Sequence, residues 1–324
     1  MQVLHFDNAN EMLAYMRRSS PHWQTEDAPS WRTDWIFRGH ADADWPLKPS
    51  ALRDLLPIQL QSYIDFALPH AEKQWDAREP FTNYEIDWFT KEHSIYASAH
   101  TYAECRLIRE FCRQAESIGF SIPGAEKIKK SKLKFTGLPF PSTYHGMTIT
   151  QAIAQHHGIP TRLMDWSWNP TTAAFFACSN IEDPDPDKNL CVWGMRHSQF
   201  HKLLIKVAES KAKQHFMSVR VFEVPRKDFH YLHVQEGLFL GLPSVSNFYA
   251  ANGRWPDLVT DVFGCKPELD KSVVKITLPQ TEALELYRLL TLDGVSLCKL
   301  MPTYDSVARD VAMKWKLARR AGTM

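Results

Sequence analysis

Gln155-His156-His157-Gly158-Ile159-Pro160-Thr161-Arg162-Leu163-Met164-Asp165-Trp166-Ser167-Trp168-Asn169-Pro170 is the stretch from which the fold of this chain is read. Gly158 and Pro160 stop the short helix that Thr150 to His157 spells, and Thr161 to Trp166 can then run as a buried strand. Ser167 or Asn169 can cap the next element, Pro170 suits a first helical position, and Thr171 to Cys178 continues as a helix of small residues and Phe. This passage sets polar side chains beside Trp rings, the makings of a pocket. A helix that begins near Asn169 also presents free backbone N–H groups and a positive dipole end, which together can hold a phosphate or carboxylate. A structural reading stands beside this one, in which Arg162 and Asp165 form a buried, hydrogen-bonded pair that fixes the turn.

Upstream, Asp34-Trp35-Ile36-Phe37-Arg38-Gly39-His40 reads as a strand with Trp35 and Phe37 on one face, Ile36 and Arg38 on the other, and a turn allowed by Gly39. On such a strand inside a cleft, the Arg38 guanidinium offers a bidentate fork to a diphosphate; alternatively it pairs with a core carboxylate. Pro69 to Phe120 is helical, with Leu107, Ile108, Phe111, Cys112 and Ala115 as its apolar stripe and Glu104, Arg106, Arg109, Glu110 and Arg113 outside it. Between Gly124 and Ser142 periodicity is lost and Lys127, Lys129, Lys130, Lys132 and Lys134 accumulate, as in a solvated loop.

Downstream, strands are expected at Leu190 to Met195, Val219 to Val224 and Val273 to Leu278. Helices are expected around Phe200 to Val207, Ala283 to Leu290 and Tyr304 to Trp315. In Val234-Gln235-Glu236-Gly237-Leu238-Phe239 a Gln and an acid precede a Gly; on a strand only one of Gln235 and Glu236 can enter a common pocket, and the alternative is a solvated turn. The order lacks regular strand-helix alternation and has no Gly-rich phosphate loop, which argues against a doubly wound nucleotide-binding fold or a P-loop enzyme.

With 38 Lys+Arg against 37 Asp+Glu, the chain has no charge excess that would support nucleic-acid binding. No apolar run approaches the roughly 20 residues of a spanning helix, and Met1 to Ser20 carries Arg17 and Arg18, so neither an anchor nor a secretory signal is expected and the expected location is cytoplasmic. Cysteines 105, 112, 178, 191, 265 and 298 show no two-residue spacing; they read as buried thiols, and no metal is expected.

Phe37-Arg38-Gly39, the segment from Gln155 through Pro170 to Phe176-Ala177, Gln235-Glu236-Gly237-Leu238-Phe239, and Gly294-Val295-Ser296-Leu297 to Met301-Pro302 resemble, in order, the signatures of the FRG domain, named for its Phe-Arg-Gly. The resemblance implies one FRG domain over 31–316, preceded by an extension at 1–30, interrupted by a helical insertion at about 60–120 and the basic loop at about 124–142, and followed by a tail at 317–324. A looser resemblance is to ADP-ribosyltransferases. It implies an α+β fold with a mixed, largely antiparallel sheet core, and a three-part site in which Arg38 contacts the dinucleotide, Ser167 supplies the hydroxyl after the second strand, and Gln235 or Glu236 takes the third-strand position. Gly39, His156, His157, Thr161, Arg162, Asp165, Trp166 and Asn169 complete the expected ligand-contacting set.

The activity so implied is that of an NAD-consuming enzyme, a transferase of ADP-ribose to an acceptor or an NAD hydrolase, in the role of a toxin or anti-phage effector. NAD is its substrate, and its transition state is oxocarbenium-like. This chain departs from the transferase pattern, with Asp165-Trp166-Ser167 where Ser/Thr-x-Ser is usual and no Glu-x-Glu. A neutral Gln235 accepts a ribose hydroxyl without the full charge of a carboxylate, which suits a slower enzyme or binding without turnover. The competing expectation is a non-catalytic nucleotide- or RNA-binding module that uses Arg38 and the lysine loop; a protein-interaction domain is the third.

Overall fold

A computed structural model describes residues 1–24, 33–77, 90–130, 148–199, 219–223, 233–242, 245–264 and 267–320. Its centre is a seven-stranded sheet built from β1 (Gln2–His5), β2 (Trp35–His40), β3 (Leu163–Ser167), β4 (Asn189–Arg196), β5 (Arg220–Phe222), β6 (Gly237–Gly241) and β7 (Val273–Pro279). The spatial order is β1-β7-β4-β2-β3-β6-β5. Only the β1–β7 pair is parallel; the other pairs are antiparallel. The protein is therefore α+β with a mixed, largely antiparallel sheet.

Alternation decides which helices cover which face. Trp35 and Phe37 of β2, Leu190 and Val192 of β4, and Val274, Ile276 and Leu278 of β7 pack under α1 (Ala9–Met16), α6 (Pro170–Cys178) and α8 (Ala283–Leu292). On the opposite face Ile36, Met164, Trp166, Cys191, Trp193, Leu238 and Leu240 pack against Leu47, Leu52, α7 (Val245–Asn252) and the segment from Trp255 to Phe263. A helical lobe, α2 (Ile58–Asp76) on α3 (Lys91–Ser117), flanks the sheet, and α3 also meets α4 (Ala125–Lys130), α5 (Thr148–His156) and α7.

Three expectations need correction. Within the expected extension at 1–30, residues 1–24 are part of the fold: β1 is an edge strand of the sheet, and Ala9, Met12, Leu13 and Met16 of α1 are buried in the core. The edge position leaves β1 mostly exposed, so its sequence carries no period-2 signal. The basic segment begins as a helix, since α4 seats Ala125 and Ile128 against Ile108 and Cys112; Lys132 and Lys134 lie outside the described residues. The last helix, α9 (Tyr304–Arg320), runs into the expected tail, with Tyr304, Val307, Val311 and Trp315 exposed and Ser306 and Asp310 buried. Asp310 is drawn inward because it accepts hydrogen bonds from the Tyr287 hydroxyl (2.9 Å) and the backbone N–H of Cys298 (3.0 Å). The helix expected at Phe200 to Val207 lies outside the described residues.

Among the described residues no helix is long and apolar enough to cross a membrane, and no group of three His, Cys, Asp or Glu side chains is placed to hold a metal ion. Cys105, Cys112, Cys178 and Cys191 are buried thiols outside any disulfide. Burial pushes the Cys191 thiol up to about 12, so it is inert near neutral pH.

Candidate functional site in the opening between two central strands

The sheet opens in its middle. β2 and β3 share one register pair, Phe37 with Ser167, whereas β2 follows β4 over six pairs and β3 follows β6 over five. Beyond Phe37 the Arg38 side chain spans the gap, and its Nη1 donates to the backbone carbonyl of Asp165 at 2.7 Å. The divergence leaves a cavity of about 700 Å³ whose lining includes Arg38, His40, Trp45, Arg53, Gln155, His156, Asp165, Trp166, Ser167, Phe176, Gln235 and Met301.

Gly39 permits this geometry. A Cβ at that position would lie 2.0 Å from the Ala173 carbonyl oxygen and 2.7 Å from the Ala177 nitrogen, so any larger residue would push α6 off β2. The N-terminus of α6 is tied down by Asn169, whose side chain accepts from the Thr171 backbone N–H at 3.1 Å.

Arg38 is mostly buried, with 15% of its side chain exposed, and burial pulls its pKa down. Its Nε donates to His40 Nε2 at 3.2 Å, which makes that nitrogen an acceptor and leaves the ring proton on Nδ1. Burial first, then the Arg38 and Arg53 charges, push His40 down to about 3, so the ring is neutral under physiological conditions. Asp165 is 62% exposed, accepts from Gln155 Nε2 at 2.7 Å and lies 3.8 Å from Arg38 Nη1. His156 sits beside them, its pKa lowered by burial and by His157.

Gln235 and Glu236 occupy a turn before β6 rather than a strand, which corrects the premise of strand alternation. The end of β3 holds that turn: Ser167 Oγ donates to the Gln235 carbonyl at 2.6 Å, and Trp168 N donates to the Glu236 carbonyl at 3.1 Å. Glu236 adopts a left-handed backbone (φ 48°) and pairs with Arg18 at 2.5 Å, outside the cavity lining. Gln235 lines the cavity. Its Nε2 donates to the Leu300 carbonyl at 3.0 Å, and its Oε1 accepts from no donor among the described residues.

Other nominated residues serve the scaffold. Arg162 is 2% exposed, and its partner is Glu104 rather than Asp165, with two contacts of 2.8 and 2.7 Å. Glu104, expected on the solvated face of its helix, is fully buried, and His100 Nδ1 approaches it to 2.9 Å. Thr161 is fully buried and donates to the Gln155 side chain, His157 stacks on Phe111, and Asn169 caps α6; none of these three, nor Arg162, lines the cavity. Arg53 was missed by sequence reasoning because no periodic segment contains it. The 3-10 turn Ser50–Leu52 delivers it, tied to Thr161 through the Ala51 N–H (3.1 Å) and to His100 Nε2 through the Ala51 carbonyl (2.8 Å).

Residues 33–186 match the family model of the FRG domain. Over that stretch the chain is similar to the FRG domain. The matched part holds Phe37-Arg38-Gly39, the Gln155–Pro170 segment, Arg53 and Asp165, while Gln235 and Met301 reach the same cavity from beyond it. No curated protein and no solved structure matches the chain.

Proposed function

We propose that the cleft between β2 and β3 binds NAD and that the protein is an ADP-ribosyltransferase-like enzyme that transfers ADP-ribose to an acceptor or to water. The observation that carries this reading is that Arg38, Ser167 and Gln235, nominated from three separate segments, line one cavity where the sheet splits. Arg38 keeps Nη2 free of partners among the described residues and can offer it to a phosphate oxygen. Trp45 and Phe176 supply ring surface for a flat heterocycle. Gln235 Oε1 is an available acceptor for a ribose hydroxyl, and its amide is held in place by Leu300. Ser167, by contrast, spends its hydroxyl on the Gln235 carbonyl and so acts as a positioning residue for that turn.

In this reaction the bond between the ribose C1 and the nicotinamide nitrogen breaks and nicotinamide leaves with the electron pair. The acceptor oxygen or nitrogen then bonds to C1 and loses its proton. The test is to incubate the full chain with NAD and follow free nicotinamide, with Gln235→Ala as the matched control. Release by the wild-type chain, abolished in the variant at an unchanged melting temperature, supports the enzyme; no release by the wild type overturns it. The second reading, a nucleotide-binding module without turnover, is favoured by one observation: the single acid of the third segment, Glu236, is paired with Arg18 away from the cleft. NAD binding without release would establish it.

A further inference from the structure

Three cations, Arg38, Arg53 and Lys188, line the cleft and a fourth, Lys275, lies near its His40, and their partners differ. Lys188 is paired with Asp42 at 2.9 Å, and Lys275 donates to the Ala43 carbonyl at 2.7 Å and sits over the Trp193 ring. The two guanidiniums are left less satisfied. Arg38 faces one carboxylate, Asp165, at 3.8 Å, and that carboxylate is already held by Gln155. Arg53 lines the same cavity and has no carboxylate or carbonyl partner among the described residues. It stands near enough to Arg38 for its charge to lower that group's pKa, against the larger opposite effect of Asp165. Two like charges converging on one cavity are stabilised by an anion between them, and a guanidinium fork matches the paired oxygens of a phosphate.

The loop that carries Arg53 is not an incidental surface loop. Ala51 and Leu52, immediately before it, are fully buried, and Ser50 and Ala51 are tied to Thr161 and His100. His100 in turn meets Glu104, and Glu104 holds Arg162. The backbone that presents Arg53 is therefore fixed by the buried core, whereas its side chain is left free.

We infer that Arg53 and Arg38 form a clamp for two linked phosphates, one guanidinium to each, so that the cleft selects diphosphate esters over monophosphates. This deepens the nucleotide reading of the cleft and rests on it. Arg38 alone serves a monophosphate, and the second phosphate is what engages Arg53.

The test is calorimetric titration of the full chain with ADP, AMP and inorganic pyrophosphate, for wild type, Arg53→Gln and Arg53→Lys. Wild type is expected to bind ADP at least about tenfold more tightly than AMP, the scale of one charge-assisted contact. Arg53→Gln should lower ADP affinity to the AMP level, change AMP affinity by less than about threefold, and leave melting unchanged, because Arg53 holds nothing else in place. Arg53→Lys should recover only part of the loss, since an ammonium lacks the fork. Unchanged ADP affinity in Arg53→Gln, or equal losses for ADP and AMP, would overturn the clamp. If neither ADP nor pyrophosphate binds the wild type, the clamp and the nucleotide reading fall together. If the ADP preference depends on Arg53 but NAD releases no nicotinamide, the clamp stands and the enzyme reading fails.

Discussion

Glu104→Gln tests the deepest electrostatic feature of the fold. Glu104 is fully buried, is gripped twice by Arg162 at 2.7 and 2.8 Å, and is met by His100 at 2.9 Å. Burial alone would raise its pKa, yet the Arg162 charge and the hydrogen bonds from His100 and Arg162 hold it at about 2, against 4.5 for a free side chain. The amide keeps the shape but strands a buried guanidinium, which costs about 3–5 kcal/mol. At about 2 °C per kcal/mol for a chain of this size, melting should fall by about 6–10 °C at pH 7. The pH dependence supplies a second readout. A depressed carboxyl contributes stability that is complete above its unfolded pKa and is lost as pH falls from about 4.5 through 2, here about 3 kcal/mol in all. The gap between wild type and variant should therefore shrink to about half by pH 3. Urea melts at pH 7, 4 and 3 measure both. A variant that melts within 2 °C of wild type at pH 7, or a gap that does not change with pH, would refute the argument. The double replacement Glu104→Met, Arg162→Met should recover most of the loss, because it removes both charges together.

Gly39→Ala should destabilise by about 3 kcal/mol or more, since its Cβ would meet backbone atoms of α6 that cannot yield, and a urea midpoint close to wild type would show that α6 can move. Asp165→Asn should melt as wild type does, because the side chain is 62% exposed, and should tighten pyrophosphate binding a few-fold by removing the carboxylate beside Arg38; weaker binding on titration would instead make the Asp165 carboxylate a positioning group for the Arg38 guanidinium. His40 is neutral in the fold with its pKa lowered to about 3, so the unfolded chain binds more protons between about 6.5 and 3 and stability falls as pH drops through that window, by about 2 kcal/mol at pH 5; His40→Gln should flatten that part of the urea-midpoint profile. Arg38→Lys should lose most ADP affinity with the fold intact, and equal titration curves would remove Arg38 from the site.

The passage from Thr150 to Cys178 was legible because each element carries its own punctuation: Gly158 and Pro160 end one helix, Asn169 and Pro170 begin the next, and the strand between them is short and apolar. The face assignment of β2 followed from period 2 alone. What failed was pairing over distance. Arg162 and Asp165 are three apart and of opposite charge, but Arg162 immediately precedes β3 and turns inward to a glutamate 58 residues earlier, while Asp165 is exposed. Glu104 read as solvated because it sits off the apolar stripe of α3, and nothing local announces that a second layer, Arg162 with Ser246 of α7, covers that side of the helix. Arg53 carried no local signal either, since its place in the cleft depends on contacts of Ala51 with Thr161 and His100.

The Phe-Arg-Gly triplet shows how one strand can carry three separate demands. Phe37 faces the α1 and α6 side, fully buried and edge-on to Trp23 with centroids 4.8 Å apart, which anchors β2 to the core. Arg38, pointing the other way, replaces the next rung of the β2–β3 ladder with a side-chain contact to the Asp165 carbonyl, so the strands part without leaving that acceptor unpaired. Gly39 lets α6 approach the strand where it starts to diverge, closing one side of the gap with Ala173 while the other remains open. A longer ladder would seal the sheet and remove the cavity; a shorter one would leave Arg38 and the Gln235 turn without a fixed separation. The single rung between Phe37 and Ser167 is the hinge point of the cleft, and Ser167 holds the turn that brings Gln235 to it.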